Sequence, residues 1–326
     1  MKAAFYERTG PAHEVLQVGE VPDERPGPGE VRVKVLFSGV NPSDVKSRAG
    51  LRSSAMPFPR VIPHSDGSGV IDDVGQGVSA SRIGDRVWIW NAAWGRPFGT
   101  AAEYVVLPEA QAVPIPPGVS DEAAACFGIP ALTALHAVLC TGGVENKTVL
   151  VAGGAGAVGH YAVQFARRFG AAQVIATVSS EAKAALALEA GADVVVDYKR
   201  QNVLQAVHAA TNDLGVDRII EVDVAANSTL DLELVRPNGE WVVYGSGAPQ
   251  VGLPFFPMIV KNLKLQFFIV YNLSAPDRAR ALDVMAQEAA VLKHNVAATL
   301  PLERIADAHE MVAQGKAAGN VVLAVG

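Results

Sequence analysis

Apolar residues along this chain follow two rhythms. Over residues 1–118 they come in short alternating runs broken by turn signals. Glu30-Val31-Arg32-Val33-Lys34-Val35 alternates strictly, which puts Val31, Val33 and Val35 on one face of a strand. Pro26-Gly27-Pro28-Gly29 and Gly75-Gln76-Gly77 mark turns, and Gly69-Val70-Ile71, Arg86-Val87-Trp88 and Glu103-Tyr104-Val105-Val106 read as further strands. Strands this short at this spacing predict a compact barrel-like β domain, closed by Pro114, Pro116, Pro117 and Gly118.

From Asp121 the rhythm becomes strand alternating with helix. Thr148-Val149-Leu150-Val151 is an apolar run suited to a strand buried on both faces. Further strands are predicted at 173–178, 193–196, 217–222, 241–244 and 265–270, with helices at 160–169, 180–191, 204–211 and 229–235. This alternation predicts an α/β fold with a parallel six-stranded sheet and right-handed crossovers. The tail changes again: a helix over 276–294 carries Leu282, Met285, Ala289 and Leu292 at helical spacing, then a strand (296–300), a helix (302–312) and a last strand (321–325). The six-stranded sheet is complete without that last strand, so the tail is expected to return to the first domain. The predicted organisation is therefore 1–121, 122–264, and 265–326 for the sixth strand and the return.

The junction after the first α/β strand carries chemistry. Gly154, Gly156 and Gly159 are spaced G-x-G-x-x-G between a strand and a helix, the context that a dinucleotide site demands. One glycine permits the tight turn, one lets backbone approach a pyrophosphate, and one lets the helix pack on the strand. The helix start adds free N–H groups and a positive dipole end. An NAD site carries an acid at the end of the second strand, about 20 residues on. Here that place holds Ser179, with Lys183 one helical turn later, Tyr198 after the third strand, and Ser180 as N-cap turning Glu181 to solvent. Hydroxyls and a cation suit a 2′-phosphate, so the expected cofactor is NADPH.

Composition narrows the class. The 326 residues favour two domains; 50% are hydrophobic and 18% charged, which supports a large core. The net charge of -6 argues against nucleic acid as a partner. Cys126 and Cys140 lie in apolar surroundings and read as buried free thiols. Glu7 and Arg8 interrupt any signal segment, and the uncharged run between Glu122 and Glu145 reads as a buried helix, not a membrane span. A soluble cytoplasmic protein without a membrane partner is expected.

Several motifs together resemble the zinc-free, zeta-crystallin-like quinone oxidoreductase branch of the medium-chain dehydrogenase/reductase superfamily. They are Gly39-Val40-Asn41-Pro42-Ser43-Asp44, Gly84-Asp85-Arg86-Val87, Gly99-Thr100-Ala101-Ala102-Glu103-Tyr104, Gly128-Ile129-Pro130-Ala131-Leu132-Thr133-Ala134, the glycine turn, Tyr244-Gly245-Ser246-Gly247 and Gly319-Asn320-Val321-Val322-Leu323. The resemblance implies a GroES-like β-barrel catalytic domain built from both chain ends, a Rossmann domain between them, and a homodimer through the sheet edge near Phe267 to Val270. It implies that Asn41 offers an amide to an acceptor carbonyl and that Thr133 lies near the nicotinamide ribose. Gly156, Ala157 and Val158 would meet the pyrophosphate; Ser179, Lys183 and Tyr198 the adenosine phosphate. Asn227, Gly245 and Ser246 would line the cofactor from strands four and five. Phe268, Ile269 and Val270 would contact the carboxamide, and Asn320 would reach back from the tail.

Where zinc-dependent relatives place a Cys and a His-Glu pair, this chain has Ser38, Asn41 and Pro63-His64-Ser65-Asp66. No zinc is expected, since a catalytic zinc takes about three protein ligands. His64 reads as a structural or pocket-rim residue. Lys46 and Arg52 stand where relatives often carry tyrosines, and read either as solvated cations or as a cationic substrate mouth. Trp88, Trp90 and Trp94 read either as a stacking surface or as packing. Without a Lewis acid, reduction of a ready hydride acceptor is favoured over alcohol oxidation. The leading expectation is NADPH-dependent quinone reduction. Reduction of an enone or alkenal C=C bond is the alternative, and a catalytically idle nucleotide-binding protein the alternative from another class.

Overall fold

The computed structural model describes residues 1–326. It divides into two compact units, Met1–Pro130 with Val284–Gly326, and Ala131–Asp283. The first boundary falls after Pro130, later than the 121/122 read from the sequence. The reason is local: Ser68 Oγ donates to Asp121 O at 2.6 Å and Ile129 N donates to Asp66 Oδ2 at 3.2 Å, so the segment between them stays with the β structure.

In the first unit β1 (Lys2–Phe5) pairs antiparallel with β2 (Gln17–Glu20) across the short helix α1 (Ala12–Val15). The alternating run becomes β3 (Glu30–Val40). It is followed by α2 (Pro42–Arg48), β4 (Gly67–Val74), β5 (Arg86–Ile89), β6 (Tyr104–Pro108), β7 (Ala112–Pro114) and α3 (Asp121–Ala124). β3 organises this unit. It pairs antiparallel with β4 along its length, and with β6 through Glu30–Lys34. Register shifts at Arg32/Val33 and Val35/Phe37 let one strand bend between partners. Val31, Val33 and Val35 are all fully buried with Ile71, Val87 and Leu107, as the alternation demands. Each such side chain contributes roughly 1.5–3 kcal/mol. Trp88 belongs to this core, edge-on to Phe127 with ring centroids 5.8 Å apart, so it offers no stacking surface.

The second unit runs α4 (Leu132–Leu139), β8 (Thr148–Val151), α5 (Ala157–Arg168), β9 (Gln173–Val178), α6 (Glu181–Glu189) and β10 (Val194–Asp197). It continues through α7 (Val203–Ala210), β11 (Val216–Glu221), α8 (Val224–Leu234), β12 (Val235–Val243), α9 (Phe255–Val260) and β13 (Lys264–Phe267). The six strands are parallel in the order β10-β9-β8-β11-β12-β13, so the strand order reverses beside β8, where the crevice of such sheets forms. Several elements differ from the sequence reading. β12 takes in residues 235–240 ahead of the expected 241–244, pairing Val216 with Val235 and Arg218 with Glu240, and the helix expected over 276–294 ends at Glu288. α8 begins at Val224, because Asp223 caps it by accepting from Ala226 N. β13 stops at Phe267, and Val270 opens a 3-10 turn whose carbonyl accepts from Arg278. No helix is long and apolar enough to cross a membrane. Cys126 is buried, but Cys140, at the end of α4, is only half-buried.

The helix α10 (Ala275–Glu288) carries the boundary at Asp283. Beyond it come β14 (Val296–Pro301), α11 (Ile305–Ala313) and β15 (Asn320–Ala324). β15 pairs parallel with β14 and antiparallel with β3, Val321 facing Val40 and Ala324 facing Phe37. Leu300, Leu302, Ile305 and Leu323 share one core with Ala3, Ala4 and Phe5.

One buried charge locks the second unit. Arg218 on β11 is fully buried. Its Nε donates to Glu240 at 2.8 Å, Nη1 to Ala137 O and Val138 O at 3.0 and 2.8 Å, and Nη2 to Cys140 O and Thr141 Oγ1 at 2.8 and 2.7 Å. All five donors are used, and the orphan carbonyls at the end of α4 are satisfied. Replacing Arg218 by Met leaves Glu240 facing only Lys147 and Thr141. The variant is expected to lose about 3–5 kcal/mol in denaturant unfolding; a loss under 1 kcal/mol would contradict this role.

Candidate functional site

The nucleotide face of the second unit starts at the glycine turn. The left-handed residue is Gly153 (φ 69), one place before the motif's first glycine. Gly154 and Gly159 serve close packing: an added Cβ would stand 2.6 Å from Ala176 Cβ and 2.1 Å from Gly153 O respectively. Gly156 is the N-cap of α5, and Gly156, Ala157 and Val158 are only partly covered. The first amide bonded back along the helix is His160 N to Gly156 O, and Gly156 N donates to Gly153 O at 2.8 Å, which leaves the Ala157 and Val158 N–H groups for an anion. The geometry suits a pyrophosphate.

Ser179 follows the end of β9, and Ser180 caps α6 by accepting from Lys183 N. Tyr198 N donates to Val178 O at 3.0 Å, which brings Tyr198 beside Ser179. Glu181 is turned out, with its side chain 90% exposed, and no acid stands at the ribose place. Sequence reading missed Arg200, whose guanidinium lies 3.9 Å from Glu181 and adds a second cation to this edge. Its only signal was proximity to Tyr198.

The ends of β12 and β13 line a groove of about 550 Å³ with Val224, Tyr244, Gly245, Ser246, Phe268 and Ile269 among its walls. Gly245 is required by close approach, since a Cβ there would stand 2.1 Å from Val222 O. Ser246 Oγ donates to Ala248 O at 2.7 Å and shapes the loop. Phe268 packs on His136, with ring centroids 4.6 Å apart. Val270 is buried below this groove, and its carbonyl is taken by Arg278. Asn227 lies on α8, not on strand four, and its Nδ2 donates to Glu221 at 3.0 Å. Thr133 is buried near the start of α4.

Behind this loop sits a buried acid pair. Glu221 accepts from Asp223 N as well as Asn227, and hydrogen-bonds with Asp231. Burial and then repulsion from Glu221 push the Asp231 carboxyl up to about 9. In the first unit, burial pushes Asp44 up to about 7 and Asp66 well above its usual range. All three shifts have one sign. The folded chain keeps protons that the unfolded chain releases above about pH 4, so stability falls as pH rises from there towards 9.

Asn41 is the N-cap of α2 and is 3% exposed. Its backbone N–H donates to Asp44 Oδ2 and its Nδ2 to Asp66 Oδ1, both at 2.8 Å. The amide also hydrogen-bonds with the Asp44 carboxyl, so two buried acids hold it. The residues at the zinc slot do not fit the metal. Asp66 is spent on Asn41 and Ile129, and His64 points to Ser38 and His309. No three His, Cys, Asp or Glu side chains are grouped to hold an ion. Lys46 is half-buried on α2, while Arg52 is exposed just beyond it. Trp90 donates to Ala110 O at 3.2 Å, and Trp94 is 40% exposed. Asn320 is buried at the start of β15, with Nδ2 donating to Asn295 O at 3.1 Å.

Asp231→Asn keeps a donor and removes a titration. Its gain in melting temperature over the parent is expected to be larger at pH 8 than at pH 5; thermal unfolding that shows the larger gain at pH 5 would refute the assignment.

Residues 27–117 match the family model described as alcohol dehydrogenase GroES-like domain, and residues 157–287 the one described as zinc-binding dehydrogenase. The quinone oxidoreductase of Rattus norvegicus is 34% identical over 244 residues, 74% of this chain and 71% of that protein. The 2-haloacrylate reductase of a Burkholderia species is 29% identical over 337 residues, 99% of this chain and 98% of that protein. A crystal structure of an NAD-dependent alcohol dehydrogenase superposes with TM-score 0.91 at 32% identity, covering 100% of both chains. The chain thus belongs to the medium-chain dehydrogenase/reductase superfamily, in its quinone oxidoreductase branch, and is an oxidoreductase that uses a nicotinamide nucleotide.

Proposed function

We propose that this protein is an NADPH-dependent reductase that transfers hydride to a quinone without a metal. The observation that carries the reading is the donor set at the zinc slot: a buried amide, Asn41, braced by a buried acid, Asp66, in place of metal ligands. Bound NADPH supplies the hydride. The N–H groups at Ala157 and Val158, with Gly156 allowing close approach, hold the pyrophosphate, and Ser179, Lys183 and Tyr198 hold the 2′-phosphate. Gly245, Ser246, Phe268, Ile269 and Val270 shape the groove for the nicotinamide end, with Thr133, Asn227 and Asn320 assigned to the same cofactor. Asn41 turns one amide N–H from Asp44 to the acceptor carbonyl and stabilises the negative charge that grows there. Solvent then protonates the reduced acceptor. Lys46 and Arg52 are assigned to the substrate mouth, where two cations suit a phenolate-forming acceptor.

The same reading places the protein in the cytoplasm as a homodimer through the free edge of β13. Phe255, Phe256 and Phe267 are 73%, 71% and 54% exposed on that side of the sheet, more apolar surface than a lone unit leaves bare. Sedimentation of the protein as a monomer at micromolar concentration would contradict the dimer.

A second reading, reduction of an activated C=C bond, is favoured by the similarity to 2-haloacrylate reductase over nearly the whole chain. A panel of quinones, enones and 2-haloacrylates assayed by NADPH oxidation separates the two: turnover with quinones is expected, and turnover with alkenes alone would replace the first reading by the second. No turnover despite tight NADPH binding would mean an idle protein. Asn41→Ala is expected to lower kcat by about 10- to 100-fold with NADPH affinity unchanged. Lys183→Ala is expected to weaken NADPH by about tenfold or more and leave NADH unaffected; equal weakening of both would remove Lys183 from the phosphate site.

A further inference from the structure

A buried hydrogen-bonded chain in the first unit plays no part in the reading above. It starts on the tail helix α11 and ends under Asn41. His309 on α11 is fully buried, as is His64. Their Nε2 atoms are 2.9 Å apart and their rings stack with centroids 5.2 Å apart. His64 Nδ1 is 2.8 Å from Ser38 Oγ, and Ser38 Oγ is 2.8 Å from Thr100 Oγ1. Thr100 Oγ1 is 2.6 Å from Asp66 O.

Counting protons gives this chain one direction. A carbonyl only accepts, so the Thr100 hydroxyl donates to Asp66 O. The Thr100 oxygen must then accept from Ser38. With its single proton spent, Ser38 must accept from His64 Nδ1–H. A neutral His64 is then bare at Nε2 and must accept from His309 Nε2–H. Burial keeps both rings neutral, His64 pushed down to about 3 and His309 well below its usual range. The arrangement is held at a cost. His64 has a left-handed backbone (φ 77), worth about 1–2 kcal/mol for a residue other than glycine. His309 Nδ1 is buried without a protein partner.

The far end of the chain cannot yield. The Asp66 carbonyl also accepts from Gly39 N at 3.1 Å, and its carboxyl takes Asn41 Nδ2 and Ile129 N. An added Cβ at Gly39 would stand 2.4 Å from Asp66 Oδ1, and one at Gly128 would stand 2.7 Å from Asp66 Cβ. A shift of the Asp66 backbone therefore moves the carboxyl that seats Asn41.

We propose that His309 and His64 are positioning residues: a hydrogen-bonded wire of fixed polarity, His309 to His64 to Ser38 to Thr100 to Asp66, lets the tail helix seat the Asn41 carboxamide. Its bearing on turnover rests on the reading of Asn41 as the acceptor-binding amide; its structural content does not. NMR of the whole protein with ¹⁵N-histidine tests the polarity without any substitution. His64 is expected as the Nδ1–H tautomer and His309 as the Nε2–H tautomer at pH 7; a His64 protonated at Nε2 overturns the proposal. His309→Leu removes the terminal donor, whereas His309→Gln keeps an N–H. The leucine variant is expected to shift the Asn41 side-chain amide resonances, quicken their solvent exchange and lower kcat about tenfold with the KM for NADPH unchanged, and the glutamine variant to restore them. If His309→Leu does not fold, Ser38→Ala cuts the same wire with little loss of volume. An unmoved Asn41 amide in either folded variant overturns the proposal. If the amide responds but Asn41→Ala leaves turnover unchanged, the wire stands and the acceptor reading of Asn41 falls.

Discussion

Asp66 is the constraint on which the first unit turns. It has no exposure, and its carbonyl and both carboxyl oxygens are all bonded. Through them it joins β3, α2, the turn before β6 and the segment leading to α4. Burial, then repulsion from Asp44, hold this carboxyl's proton well above the usual range, against the pull of the bonds from Asn41 and Ile129. An acid in that state braces an amide without drawing in a counter-ion. The same feature that fixes the β structure therefore also seats the Asn41 carboxamide, the group proposed to meet the acceptor.

The second unit solves a different problem with a buried cation. Its parallel sheet puts a helix start against a glycine turn, which leaves N–H groups free for phosphate. The helix α4 ends inside the unit, and its last carbonyls need donors. Arg218 supplies them from the sheet, and Glu240 neutralises it. The first unit thus seats Asn41 on a buried acid, and the second closes the end of α4 with a buried cation whose donors are all used. A buried acid and a buried cation cost stability when left unpaired, so each is bound to its surroundings more strictly than an apolar core requires.

Local pattern carried much of this. Strict alternation located β3 and its buried face, and G-x-G-x-x-G located the turn before α5. The neutral Ser179 was legible because it lies at a fixed distance from those glycines. What stayed hidden depended on pairs distant in the chain. His64 and His309 are 245 positions apart, and nothing near either one marks the other. Arg218 read as a polar residue in a strand, since its partners on α4 lie 77 to 81 positions away. The helix expected at 229–235 starts at Val224 on the Asp223 cap, which carries Asn227 onto α8. Spacing also does not reveal which glycine takes a positive φ: it is Gly153, just before the motif.

Hydride reduction without a metal is the centre of this account. The direct measurement is steady-state NADPH oxidation with a simple benzoquinone, before and after exhaustive treatment with a zinc chelator. The account predicts the same turnover in both, and no added turnover when zinc is returned. Activity lost to the chelator and restored by zinc would contradict it.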